Sequence, residues 1–350
     1  MSNKLYYLVP IALLLLCFLF YQRQDADQDK DSSSESNVVN VYSSRKEQMV
    51  RDVFAAFTEE TGIKVNYITD DAIKLISRMK SEGKNTSADV FIAADVVNLA
   101  FAERENLLQC ISSAVLESAI PSNLRNCYWF GLTRRTRLIV YSKDRVNPSE
   151  IKDYEDLSNP KWKDRLLLRS SNSPYNQSLI ASMIFANGLE KTESWIKGVV
   201  RNMARPPYGG DIDQIKGVAS GEGDLAVVNS YYVARILASD KNVYKKVAEK
   251  IGVIFPNQDN RGAMVNISGA GVTRYAKNKE NAIKFLQFMV SRKAQEMYAT
   301  ENHEYPILAS VENSEILKSW GAYKLDSTDL SKIAPYMSVA ILIADENGWK

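Results

Sequence analysis

Two neighbouring tyrosines, Tyr231 and Tyr232 in "DLAVVNSYYVARIL", are the residues of this chain best suited to unusual chemistry. Successive helical residues point about 100° apart, so adjacent rings cannot share one flat packing face. The first turn of a helix is a different setting. "DLAVVN" reads as a buried strand and Ser230 as a good N-cap. Tyr231 and Tyr232 would then be the first two helical residues, with both side chains able to converge beyond the helix tip. Unpaired N–H groups and the helix dipole make that point electropositive. This favours phenolate but does not overcome a phenol pKa of about 10. A bound hard cation does, because it deprotonates its ligands outright. Phenolate oxygen is a hard anionic donor, and ferric iron is the cation usually paired with it. On the dipeptide alone, one ring in the core beside one at the surface is the more ordinary arrangement.

A second stretch changes that balance. "RSSNSPYNQS", from Arg169 to Ser178, also ends a strand, turns through Ser-Pro and opens a helix, with Tyr175 at the opening. Two strand-to-helix corners would each offer tyrosine to one cleft, as at the carboxyl ends of parallel strands. Competing chemistries are poorly supplied. The only histidine is His303, in the polar stretch "TENHEYP", which reads as an exposed loop. There is no HExxH zinc helix, no GxxxxGK[ST] phosphate loop and no GxSxG elbow. Lys and Arg are spread along the chain with a formal net charge of only +2, so no nucleic-acid footprint is present.

The elements that must position these tyrosines alternate between strand and helix. "VVNVYSS", "IKVNYIT" and "ADVFIA" read as strands; "RKEQMVRDVFAAFTEETG", "DAIKLISRMKSEG" and "DVVNLAFAEREN" read as helices, the first two ending on glycine. Such alternation predicts a parallel α/β sheet. "RLIVYS" and "RLLLRSS" are further strands, "NQSLIASMIFANG" and "TESWIKGVVRNMA" further helices, and "KENAIKFLQFMVSRKAQEMYA" one long amphipathic helix. The expected architecture is α/β with two similar lobes, joined by extended crossings near residues 130–140 and 260–270, and a ligand cleft between them. Residues 38–135 form the first part of lobe 1 and 136–265 form lobe 2. Residues 266–350 return to lobe 1 and add C-terminal helices packing across both.

Residues 1–21 contain the apolar run "LYYLVPIALLLLCFLFY" and read as a signal peptide or N-terminal membrane anchor. Cleavage, lipidation at Cys17 and retention as a tether all stay open. Residues 22–37, "QRQDADQDKDSSSESN", read as a disordered polar linker. The folded part is thus expected outside the cytoplasm. It holds two cysteines, Cys110 and Cys127, and an even pair in an oxidising compartment suggests a disulfide, with two buried free thiols as the alternative.

With these segments in view, the chain resembles the ferric-ion-binding proteins of bacterial iron-uptake ABC transporters. The resemblance runs along nearly the whole exported part, through "VNVYSSR", "MKSEGKNTSADVF", "YEDLSNPKWKDRL", "SSNSPYNQS", "GEGDLAVVNSYY", "VIFPNQDNRG" and "EYP". It implies a type II periplasmic-binding-protein fold whose two lobes close on Fe(III), with Tyr175, Tyr231 and Tyr232 as the matching metal ligands. Many relatives have a histidine just after the first strand, and some a tyrosine next to it; this chain has Lys46 and Glu47. Protonated lysine is a poor ligand. The resemblance includes a subgroup with three tyrosines in which a small anion such as carbonate completes the shell, and Arg45 and Arg134 are the candidates to hold it. It further implies a monomer without catalysis, in the periplasm, that delivers iron to a permease in the inner membrane. Binding of phosphate, sulfate, a polyamine or thiamine on the same fold is the alternative.

Overall fold

The computed structural model describes residues 37–350, so the leader and all but the last residue of the polar linker lie outside the described residues. Nine strands are present among them: β1 (Val38–Ser43), β2 (Lys64–Thr69), β3 (Val90–Ala93), β4 (Phe130–Ser142), β5 (Leu166–Leu167), β6 (Leu225–Asn229), β7 (Ile251–Ile254), β8 (Val265–Val272) and β9 (Tyr305–Pro306). Their order is β2-β1-β3-β8-β4-β6-β5, with β7 and β9 also paired to β4.

The 13-residue β4 belongs to two sheets. Its first half, from Phe130 to Thr136, runs antiparallel to β8, and β9 pairs with it at Thr133 and Arg134. From Arg137 onward it runs antiparallel to β6, and from Ile139 also to β7. The sequence predicts a strand only over "RLIVYS" and a parallel sheet. In fact β1 is parallel to β2 and β3, and β5 to β6, while every pair made by β4 and β8 is antiparallel. The sheets are therefore mixed, because the chain crosses between lobes on extended strands rather than through helices.

Helices cover these sheets by burying one apolar face each. Helix Arg51–Thr61 buries Val53, Phe54 and Phe57, and ends at Gly62, whose φ of 70° is the left-handed cap that glycine accepts. Phe54 and Phe57 meet Phe285 edge to face, both at 5.2 Å between ring centres. Helix Pro174–Asn187, which carries Tyr175, packs against helix Val96–Arg104 and against the C-terminal helix Met337–Glu346. One apolar cluster consequently runs through both sheets, from Val39 and Phe285 to Leu179 and Trp195. The single long helix expected after residue 279 is two helices, Lys279–Met289 and Arg292–Glu301. Ser291 separates them by accepting a hydrogen bond from the Ala294 N–H on its hydroxyl. "RLLLRSS" keeps only two ladder residues, Leu166 and Leu167.

Cys110 and Cys127 are bonded, with their Cα atoms 4.7 Å apart. The bridge joins positions 17 apart in sequence, and the short helix Ala114–Ala119 lies between them. In the chain-entropy account such a loop contributes roughly 3 kcal/mol. Cys110→Ser is expected to lower the unfolding free energy under non-reducing conditions by a corresponding amount, with a larger m-value because the unfolded chain is no longer cross-linked, in urea unfolding followed by circular dichroism. Thiol titration of the unfolded, unreduced protein lacking its leader should detect no free cysteine; two would remove the bridge.

Candidate metal centre

The tyrosine pair sits where β6 becomes helix Ser230–Leu237. Asn229, with extended backbone, is the residue before the helix, and Ser230 is its first residue rather than its cap. The Ser230 hydroxyl is occupied elsewhere, accepting from the Thr136 N–H of β4 at 3.3 Å. Tyr231 and Tyr232 are therefore the second and third helical residues, one step later than the sequence suggests, and still in the first turn. Their rings lie 4.3 Å apart at 37°. Tyr231 is 4% exposed and Tyr232 is half-buried.

The second corner brings in Tyr175. After β5 the chain turns, Ser173 precedes the helix, Pro174 occupies the first position and Tyr175 the second. The Tyr175 hydroxyl lies 3.2 Å from that of Tyr231. Three phenols from two helix N-termini thus crowd one point. Guanidinium groups surround them: Arg169 and Arg135 stand 5.1 and 5.2 Å from the Tyr175 ring centre, and Arg235 stands 5.7 Å from that of Tyr231. Burial, then the neighbouring Tyr175 and Tyr232, push Tyr231 well above the ordinary phenol value, against the pull of Arg135. Burial first, then Tyr175 and Asp211, also raise Tyr232, while Tyr231 and Arg169 oppose the shift. Both hydroxyls are neutral donors at physiological pH unless a cation takes the proton's place.

Two buried carboxylates hold the surroundings. Asp211, at the start of helix Asp211–Ser220, accepts from Arg169 and Arg137 at 3.1 Å each and from the Asn229 N–H at 2.8 Å. Asp95 accepts from Ser178 at 2.5 Å, from Arg135 at 2.9 Å, from Asn266 at 3.0 Å and from the Val97 N–H at 3.1 Å. Ser178 lies on the Tyr175 helix and Asp95 caps the helix after β3, so this carboxylate ties the Tyr175 helix to β4 and β8.

The remaining expected residues are placed differently. Arg45 is buried, ion-paired to Glu304 at 2.5 Å and 5.3 Å from the Tyr298 ring centre. It is near enough to Tyr231 for their charges to interact, and its Nη1 has no hydrogen-bond partner in the protein. Arg134 instead donates through Nε to the Pro306 carbonyl at 3.0 Å, beside Tyr305 and Tyr323. Strand alternation is the reason: Arg134 faces one side of β4, while Arg135 and Arg137 face the other, where the tyrosines are. Arg135, Arg169 and Asp211 were missed by sequence reasoning. The i, i+2 spacing of Arg135 and Arg137 was the available signal; Asp211 offered none. Lys46 and Glu47 are exposed, and Glu47 accepts from Tyr67 at 3.2 Å. His303 is half-buried rather than exposed and contacts Ser314 at 3.3 Å, with burial and Arg235 holding its imidazole below the usual value. Among the described residues no three His, Cys, Asp or Glu side chains form a metal-sized group.

The chain as a whole is similar to proteins of known role and structure. Iron uptake protein A1 of a Synechocystis species is 46% identical over 90% of this chain and 88% of its own length. A Trichodesmium protein solved in complex with iron and citrate ligands is 48% identical, covers 89% of this chain with all of its own, and superposes with a TM-score of 0.85. The ferric binding protein from Campylobacter jejuni is 41% identical over 89% of this chain and 100% of its own, with a TM-score of 0.86. Residues 52–324 match the family model for bacterial extracellular solute-binding proteins. Two α/β sheets sharing one strand agree with this match, which spans most of the sequence and places the chain in that family: it is a bacterial extracellular solute-binding protein.

Proposed function

We propose that the protein binds Fe(III) outside the cytoplasm through the phenolates of Tyr175, Tyr231 and Tyr232 and delivers it to an ABC permease, acting as a monomer without catalysis. The observation that carries this reading is the 3.2 Å approach of the Tyr175 and Tyr231 hydroxyls, with the tilted Tyr232 ring 4.3 Å from that of Tyr231. Three hard anionic oxygens suit a hard trication, whereas phosphate, sulfate, a polyamine or thiamine would use hydrogen-bond donors or acidic groups instead. Three phenolates neutralise the ion's formal charge and leave coordination positions open. Two buried guanidinium nitrogens without partners, Arg45 Nη1 and Arg135 Nε, are the donors for a small anion such as carbonate at those positions. Arg135 takes the role expected of Arg134.

The lobe boundaries follow the change of partners along β4. We place lobe 1 at residues 38–135 with the return at 266–350, lobe 2 at 136–265, and the C-terminal helices of the return across both, a division supported by β4 leaving β8 after Thr136 and joining β6 at Arg137 and by helix Met337–Glu346 packing on helix Pro174–Asn187. All three tyrosines come from lobe 2 and Arg45 from lobe 1. The ion and its anion thus bind the closed arrangement better than the open one, which is what closure requires.

Fe(III) added to the metal-free protein is expected to give a visible phenolate-to-iron charge-transfer band. Tyr231→Phe, Tyr232→Phe and Tyr175→Phe should each abolish or weaken it by at least tenfold in a competitive chelator titration, with unchanged far-UV circular dichroism. Each substitution removes one oxygen and almost no apolar volume. No band, with tight uptake of a colourless solute, would overturn the iron reading.

Binding should also depend steeply on pH. Tyr231 and Tyr232 start protonated because their pKa values are raised, so ion binding releases their protons. Affinity therefore falls as pH falls, by about tenfold per unit for each of these two phenols that ionises. Chelator titrations across neutral pH, corrected for the protons the chelator itself takes up, should show that slope, and a flat corrected profile would exclude ionisation of Tyr231 and Tyr232 on binding. Loading in bicarbonate-free buffer should shift the band and weaken binding; an identical spectrum would remove the anion from the site.

A further inference from the structure

The two tyrosine corners have little main-chain support for their mutual spacing. β5 meets β6 only through Leu166↔Leu225 and Leu167↔Ala226, and no ladder continues from Leu168 to Tyr175. Tyr175 nevertheless meets Tyr231 at hydrogen-bond distance. A third element supplies the constraint. Asp211 Oδ1 receives Arg169, from the first corner, and Oδ2 receives both Arg137 and the Asn229 N–H, immediately before the second. Arg137 continues the circuit, donating to the side chain of Asn176 at 2.8 Å and the Val227 carbonyl at 3.0 Å. Asn176, next to Tyr175, donates back to the Arg169 and Ser170 carbonyls at 2.9 and 3.1 Å. The circuit is closed, and both Asp211 and Arg137 are buried.

We propose that Asp211 is the positioning residue of the tyrosine centre: its carboxylate fixes the distance between the Tyr175 corner and the Tyr231–Tyr232 corner before any ion arrives. It touches no ligand itself. Each of its acceptor positions serves a different segment, so a neutral amide in its place cannot hold both guanidinium groups and the Asn229 N–H together. The inference rests on reading the centre as an Fe(III) site, but the geometry it concerns exists without metal.

Asp211→Asn is the direct test. Because it leaves both the buried Arg137 and the partly exposed Arg169 without their shared counter-charge, the double variant Asp211→Asn with Arg137→Met is made alongside; it removes the fully buried cation, while Arg169 keeps access to water. Outer partners of metal ligands typically contribute about 10–100-fold in affinity, and that loss is expected in both variants, with a shifted or broadened charge-transfer band. Crystal structures of the metal-free variants should show the Tyr175 and Tyr231 hydroxyls separated beyond hydrogen-bond distance. A lower melting temperature with parental affinity, band and hydroxyl contact would reduce Asp211 to a counter-ion and overturn the proposal. If the parent itself gives no band, the iron reading falls, and the hydroxyl separation alone decides: opened, it supports the positioning role; still 3.2 Å, it overturns it.

Discussion

β4 is a rung of both sheets, and what stands at the tyrosine centre follows from that constraint. A strand shared by two sheets can twist but cannot slip, because a shift of one residue would turn every side chain to the opposite face in both. Arg135 and Arg137 are thereby locked on the same side, on either side of the point where the partners change from β8 to β6. Each carries a buried carboxylate: Asp95 for Arg135 and Asp211 for Arg137. The first pair reaches the Tyr175 helix through Ser178, and the second reaches both tyrosine corners. The register of one strand is in this way transmitted to three phenols that lie outside it.

Burying these charges is not a route to stability. Desolvation of a buried pair commonly cancels its attraction, and apolar residues of similar volume often serve the fold as well or better. Three such pairs, Arg45–Glu304, Arg135–Asp95 and Arg137–Asp211, nonetheless surround one small region. What a salt bridge offers that a leucine cluster does not is direction. Asp95 caps its own helix by accepting from the Val97 N–H and fills its other acceptor positions from Ser178, Arg135 and Asn266, which belong to three other segments. A group satisfied only when three distant segments meet its own specifies one arrangement of them.

The sequence made much of this legible, and the limits have physical causes. Strands and helices with strong periodicity, such as β1, β3 and helix Arg51–Thr61, read directly, and glycine marked the helix end at Gly62. The tyrosines were found because strand-to-helix corners have a local signature of Ser, Pro and an abrupt change of period. β5 was overread, since "RLLLRSS" is apolar enough for a full strand, yet the Asn202 carbonyl accepts the Arg165 and Leu166 N–H groups and Met203 bridges to Leu166 on that side. The break at Ser291 was hidden because the apolar pattern runs on across it while a single side chain redirects the backbone. The sequence names Arg134 and is silent on Arg135, because which of them faces the tyrosines depends on the register of β4, which is fixed by partners distant in sequence. Asp211 was invisible for the same reason: its partners at 137, 169 and 229 meet only in the folded chain.

Tyr231 and Tyr232 are thus phenols held in a place where ionising them is unfavourable. Burial and mutual repulsion raise Tyr231 and Tyr232, and the nearby Arg135 and Arg169 offset only part of that shift. A ligand that cannot replace protons gains little here, because the hydroxyls already satisfy one another, as Tyr175 and Tyr231 do. A weakly polarising cation gains little as well, since it must displace the same protons with less charge. On the Fe(III) reading proposed above, a small, highly charged ion would recover that cost most fully, and the contact between the Tyr175 and Tyr231 hydroxyls would already hold two of its oxygens together. Selectivity would then come from ligands that are hard to deprotonate rather than from a larger number of ligands.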